Sequence, residues 1–169
     1  YPRSYYLLYQ KGLMYEELKE HDKAAEMYKQ SIILNPYFEE SHLKLGYLAY
    51  SSHKITQAIM CFNFYLMLNP DGKNSFRVLE ALNTVVSAKP ELEEELNVTL
   101  SKDDETFDEL DLIINNHVSL SKKYKIPNKL NIAIVRQNHL MLDQLKNYEG
   151  NDGYFHQKYV KFYNWVRDN

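Results

Sequence analysis

Cysteine is nearly missing from this chain. Cys61 stands alone among 169 residues, so no internal disulfide framework and no cysteine-rich zinc site can form. Set in an apolar run, that thiol reads as a small buried hydrophobe rather than a reactive group. Glycine and proline are scarce at five each and 44% of the residues are apolar, which argues against disordered and low-complexity classes. No charge of one sign is in excess: 20 Lys and Arg against 23 Asp and Glu give a net charge of −3, too little basic field for a nucleic-acid partner. No apolar run approaches the roughly 20 residues of a membrane span, so no membrane partner is expected. The opening "YPRSYYLLYQKG" has no signal-peptide organisation, and it lacks an initiator Met, so the chain is expected to come from a longer one. Without a secretory signal, the Asn97-Val98-Thr99 sequon carries little weight, and the expected setting is cytoplasmic.

What the chain does have is repetition. "KAAEMYKQSIILNP" from Lys23 to Pro36 is echoed by "QAIMCFNFYLMLNP" from Gln57 to Pro70, thirty-four residues later. Aligning the two stops sets Gly12 over Gly46, Ala24 over Ala58, Tyr28 over Phe62 and Pro36 over Pro70. Each unit reads as two helices. In the first, Leu8, Gly12, Tyr15 and Leu18 keep the spacing of one helical face, and "KEHD" interrupts, with Asp22 as N-cap. The second helix carries Ala24, Ala25, Met27, Tyr28, Ile32 and Leu34, and Pro36 ends it by denying the next turn a donor. Gly12 and Gly46 allow close helix approach, as do Ala24 and Ala58 from the other side. Tyr28 and Phe62 then plug the space between helices.

This combination of a Gly and an aromatic on the first helix with Ala, an aromatic and a closing Pro on the second resembles the tetratricopeptide repeat family, over Tyr5 to Pro70. The chain departs from the family pattern at Lys11, His42 and Tyr65. The resemblance implies an all-α fold of antiparallel helix hairpins, an α-solenoid, with repeats at 5–36 and 39–70. A third unit begins but stops: Phe76, Leu79, Leu82, Val85 and Val86 are spaced for burial, Glu80 stands where Gly is expected, and the chain then offers no partner helix. The expectation is a capping helix at 73–89, closing a domain of residues 1–89.

Residues 90–169 resemble no family and read as a helical extension of about three helices. "ELEEELNVTLSKDDET" (Glu91 to Thr106) reads as a solvated turn or short helix, with Ser101 or Asp104 capping the next helix. Phe107, Leu110, Ile113, Ile114, His117, Leu120 and Tyr124 mark one face of that helix, which Ile126-Pro127 stops. Leu130, Ile132 and Ile134 alternate like a strand, but Val135, Leu142 and Leu145 continue at helical spacing, so a helix is expected. After Gly150 and Gly153, a last helix places Phe155, Tyr159, Phe162, Tyr163, Trp165 and Val166 on a broad aromatic face.

Chemistry is hard to find. No two of the six histidines sit three or four apart on an expected helix, and neither a phosphate loop nor a nucleophile elbow is present. No enzyme activity, cofactor or metal is therefore expected. The most polar cluster, "VRQNHL", allows Arg136 and His139 to share a helix face and hold an anion or small ligand, with His117 as a possible third member. Binding is easier to argue. The resemblance implies a concave wall formed by Tyr6, Tyr9, Leu13 and Glu16 from the first unit and Glu40, Leu43, Tyr47 and Tyr50 from the second, extended by Asn74 and Arg77. Tyrosines of this kind suit a protein or peptide partner. The family's carboxylate clamp for a chaperone tail has Lys and Asn on the first inner helix, Asn on the second, and Lys and Arg on the third; the matching positions here are Tyr9, Leu13, Lys44, Asn74 and Val78, so that clamp is absent. The leading expectation is a non-catalytic protein-interaction module. The alternatives are a ligand-binding or catalytic C-terminal half around Arg136 and His139, and homo-oligomerisation through the aromatic C-terminal helix, which could otherwise cover the tyrosine wall.

Overall fold

A computed structural model describes residues 4–87, 107–127, 129–148 and 152–169 of the chain. The acidic run, the sequon, Ser101, Asp104, Gly150 and the expected 89/90 domain boundary lie outside these residues. The described part is all-α, with eight α-helices and no strand. No described helix is long and apolar enough to cross a membrane. The chain falls into two compact units, 1–78 and 79–169.

In the first unit α1 (Ser4–Glu17) packs on α2 (His21–Leu34), α3 (Glu39–Ser51) packs on α4 (Ile55–Leu68), and α2 packs on α3. The backbone repeats at the interval of the sequence. Lys19 (φ 60°) and His53 (φ 58°), thirty-four residues apart, both take the left-handed conformation that ends a helix and reverses the chain. The amides of Asn35 and Asn69 close α2 and α4 on the carbonyls of Ser31 and Tyr65 at 2.9 and 2.8 Å. Between the paired helices, a Cβ at Gly12 would stand 2.4 Å from Cε1 of Tyr28, and one at Gly46 would stand 2.8 Å from the Phe62 ring. Only glycine admits those rings. Ala24, Tyr28, Ala58 and Phe62 are fully buried, and so is Cys61. A buried polar chain ties the hairpins: Ser41 Oγ donates to Ser31 Oγ, which donates to the Tyr5 carbonyl, each at 2.8 Å.

Several local expectations are corrected. Asp22 lies within the first turn of α2; Glu20 holds the N-cap position without a side-chain cap, and Asp22 contributes there as an acid near the helix dipole. Leu18 lies beyond the end of α1 and is 66% exposed. α5 (Ser75–Ser87) forms, but it turns Val78, Leu82 and Val85 inward and leaves Phe76 76% exposed, with Leu79 also outside.

In the second unit the expected helix from Phe107 stops early. α6 (Asp108–Asn115) ends where His117 takes φ 52°, and a 3₁₀ turn (Val118–Leu120) comes next, so Leu120 is exposed and does not share the face of Leu110 and Ile114. Ile132 is extended and caps α7 (Ala133–Leu145), leaving Leu130 and Ile132 as exposed residues ahead of that helix. The last helical segment contains a π turn (His156–Val160) before α8 (Lys161–Asp168). It buries Phe155, Tyr159 and Tyr163, four apart, while Trp165 and Val166 are exposed, so the aromatic face is narrower than expected. The core gathers Phe107, Leu110, Ile114, Leu140, Met141 and Leu145, with Phe107 stacked on His156 at 4.7 Å and 5.0 Å from Tyr148.

Candidate functional site

α1 and α3 carry the tyrosines. At their N-terminal ends an aromatic cluster forms around Phe38, whose ring lies 5.1 Å from Tyr5, 6.2 Å from Tyr6 and 5.2 Å from Tyr9. Tyr9 also meets the buried Tyr28 at 5.8 Å. Burial, reinforced by the carboxylates of Glu40 and Glu16 and by Tyr6, pushes the Tyr9 hydroxyl up to about 12. Its proton is therefore retained, and the hydroxyl can donate to a partner's acceptor. Burial and then Glu16 raise Tyr28 in the same sense.

Toward the other end of α1, Lys44 Nζ reaches Glu16 Oε2 at 2.6 Å, tying α1 to α3 with both side chains mostly covered. The second aromatic group rests on Phe62, with Tyr47 at 5.1 Å and Tyr50 at 6.5 Å. Tyr9, Tyr47 and Tyr50 are each half-buried and Tyr6 is exposed, so every one keeps surface to offer. Leu13 and Glu40 are also half-buried. Leu43, only 4% exposed, is packed inside and is not presented at the surface, contrary to the expectation. Asn74 is half-buried and Arg77 exposed at the start of α5.

His42 supports this arrangement from below. Its Nε2–H donates to the Pro36 carbonyl at 2.9 Å, and its ring stacks on Phe64 at 4.8 Å. Burial pulls its pKa down to about 4 against the smaller opposing effects of that carbonyl and of Glu39, so the ring is neutral at pH 7.

The second candidate site has a different purpose. Arg136 and His139 do converge, but on the chain itself. Arg136 Nε donates to the Ser119 carbonyl at 2.6 Å, Nη2 to the carbonyls of Ser121 and Tyr124 at 2.7 and 2.9 Å, and Nη1 to Asn131 Oδ1 at 3.0 Å. His139 Nδ1 shares a hydrogen bond with the Tyr124 hydroxyl at 2.8 Å. Beneath them the buried Ser119 hydroxyl donates to Gln137 Oε1. The guanidinium fork is committed to holding a loop, and it is not presented to an anion.

Sequence reasoning missed Phe38, and it weighed Lys44 only as a clamp position without its tie to Glu16. Phe38 was legible as an aromatic immediately ahead of the α3 start, whereas the reach of Lys44 across to Glu16 depends on how the hairpins dock. Comparison of the chain with family models, with curated proteins and with solved structures returned no match.

Proposed function

We propose that residues 5–36 and 39–70 form two tetratricopeptide-like repeats, stacked as a short helical solenoid, that bind a protein or peptide segment along the wall of α1 and α3. One observation carries this reading: Tyr6, Tyr9, Tyr47 and Tyr50 stand partly uncovered on the first helices of two hairpins whose backbone repeats at thirty-four residues. Their rings are supported from behind by Phe38, Tyr28 and Phe62, so little side-chain freedom is lost when a partner arrives. The ligand is an apolar or aromatic segment, such as one face of a helix. A carboxylate-terminated tail fits poorly, because Lys44, the basic residue at a clamp position, is neutralised by Glu16, and Val78 is fully buried. The proposed role is non-catalytic and cofactor-independent, in a cytoplasmic setting.

Affinity capture from source-cell lysate with the whole chain, against Tyr9→Ala and Tyr47→Ala, tests the wall. Loss of a specific captured protein with helical circular dichroism unchanged supports it, and equal capture by both variants overturns it. Homo-oligomerisation through α8 is the second reading, favoured by the 62% exposure of Trp165 beside exposed Val166. It predicts a sedimentation mass that rises with concentration and falls in Trp165→Ala.

A further inference from the structure

The charge of this chain is not evenly spread. From Leu112 to Leu142 there is no Asp or Glu, while Lys122, Lys123, Lys125, Lys129 and Arg136 all fall within that stretch. Those are five of the chain's 20 basic residues, so the other fifteen stand against all 23 acidic ones. A segment of charge +5 is thus carried by a molecule that is otherwise acidic.

The structure gives this segment a shape. Arg136 grips the Ser119, Ser121 and Tyr124 carbonyls on one arm of the loop and the Asn131 side chain on the other, which draws the two arms together at their base. The first arm presents Val118, Leu120, Lys122, Lys123 and Lys125, all exposed. The second presents Lys129, Leu130 and Ile132, with the two aliphatic side chains 56% and 51% exposed. None of the four lysines forms an ion pair with a described carboxylate. Asp143, the acid whose charge reaches Tyr124, is itself paired with Lys146 at 3.2 Å.

Exposed lysines interleaved with exposed aliphatics are a specific chemistry. Protein interface cores are depleted in Lys and rich in aromatics and Arg. Single-stranded nucleic acid calls for aromatic stacking platforms, but Tyr124 is already held by His139 and lies against Arg136 at 5.9 Å. A lipid surface needs neither. Flexible ammonium groups meet anionic headgroups as point charges, and aliphatic side chains enter the boundary between headgroup and acyl chain. We infer that the Arg136-stapled arms, residues 118–127 and 129–132, dock the protein peripherally on a membrane surface rich in anionic lipid. No spanning helix is required for this.

Flotation of the full chain with vesicles tests the inference. The chain should float with phosphatidylcholine vesicles that contain phosphatidylserine and not with phosphatidylcholine alone. Flotation should fail as salt is raised from about 0.1 to about 1 M, where the screening length falls from about 10 to about 3 Å. The pair Lys122→Glu with Lys123→Glu should lower binding at least about tenfold. The pair Leu130→Ser with Ile132→Ser should lower it severalfold, and both pairs should keep the native melting temperature because all four positions are exposed. Lys54→Glu with Lys158→Glu, an equal charge change elsewhere on the surface, should leave flotation intact. Equal flotation with neutral vesicles, native flotation by either loop pair, or equal loss in the control pair overturns the inference. So does lysine-dependent binding to polyglutamate or RNA with no flotation, which would assign the loop to an acidic macromolecule.

Discussion

In residues 1–78 the decisive contacts occur twice, a ring against a glycine and then the same again thirty-four residues on. In residues 79–169 each decisive contact is made once: an arginine across three carbonyls, a buried Ser119–Gln137 pair, and Asn164 Nδ2 donating to the Leu145 carbonyl at 3.4 Å. The first unit is held by a rule that each hairpin obeys locally. The second adds to its apolar core polar ties that each occur once and follow no repeat. A repeated rule leaves its helix faces free to vary, so tyrosines can accumulate there; unrepeated ties fix particular loops, and a fixed loop can present charge.

The equivalence of the two hairpins is the first thing to break. Tyr28→Ala and Phe62→Ala should each cost about 3–5 kcal/mol in urea unfolding, because each empties a fully buried ring site. Gly12→Ala should be harmful alone, through overpacking of about 1–3 kcal/mol, and far less harmful in a Tyr28→Ala background, where its Cβ has room. Gly46→Ala should couple to Phe62→Ala in the same way. Additive costs in both cycles would mean that the glycines do not serve the rings.

His42 gives the first unit a pH dependence of its own. Its folded pKa, about 4, lies below the ordinary 6.5, so between those values the unfolded chain binds the extra proton. The stability gained by keeping the ring neutral is complete above pH 6.5 and is lost as pH falls, by about 3 kcal/mol at pH 4. His42→Phe retains an aromatic partner for Phe64 and removes the titration. The unfolding free energy of the native chain minus that of His42→Phe should therefore fall by about 3 kcal/mol as pH drops from 7 to 4, whatever the carboxylates contribute to both. Parallel curves would refute a buried neutral histidine.

The unevenness between the units also governs what could be read in advance. The hairpins were legible because Gly12, Tyr28, Asn35 and Pro36 act within one unit, and a second copy with Gly46, Phe62, Asn69 and Pro70 removes the ambiguity of any single residue. That Tyr6, Tyr9, Tyr47 and Tyr50 fall on α1 and α3 followed from position alone. Burial of Leu43 did not, since exposure depends on what packs beside it. In the second unit the helical period ran on through His117 and Leu120, while the backbone turned left-handed at His117 and the chain was held by Arg136 from seventeen positions away. An arginine whose acceptors are carbonyls leaves no pattern of side chains to find. It looks like a ligand site until its partners are known.

That staple can be removed. Arg136→Ala should destabilise the second unit by about 2–3 kcal/mol, since three carbonyls lose a charged donor. Arg136→Lys should recover little, because an ammonium cannot fork to Ser119, Ser121 and Tyr124 at once. Hydrogen exchange resolved along the chain should show faster exchange in residues 118–125, and the exchange of α1 to α4 should be unchanged. Full recovery by lysine would reduce Arg136 to a simple charge and weaken the contrast between the two units.

The smallest effect expected is at the tie between the hairpins, and its asymmetry is what matters. The Glu16–Lys44 pair is only 21% and 30% exposed, yet water still reaches it, so a double-mutant cycle should return about 0.5–1 kcal/mol, falling as salt rises. The two single changes should differ. Glu16→Gln leaves a lysine whose long stem lets the ammonium swing into water. Lys44→Met leaves a carboxylate held near Tyr9 and Tyr28, where burial already disfavours charge, so it should cost more than Glu16→Gln. Glu16→Gln should also lower the Tyr9 titration from about 12, though only slightly, because burial and Glu40 both outweigh Glu16 there. If the two singles cost the same and Tyr9 does not move, the pair is a surface contact, and α1 and α3 are aligned by the Ser41–Ser31–Tyr5 chain, the Phe38 cluster and the packing of α2 on α3.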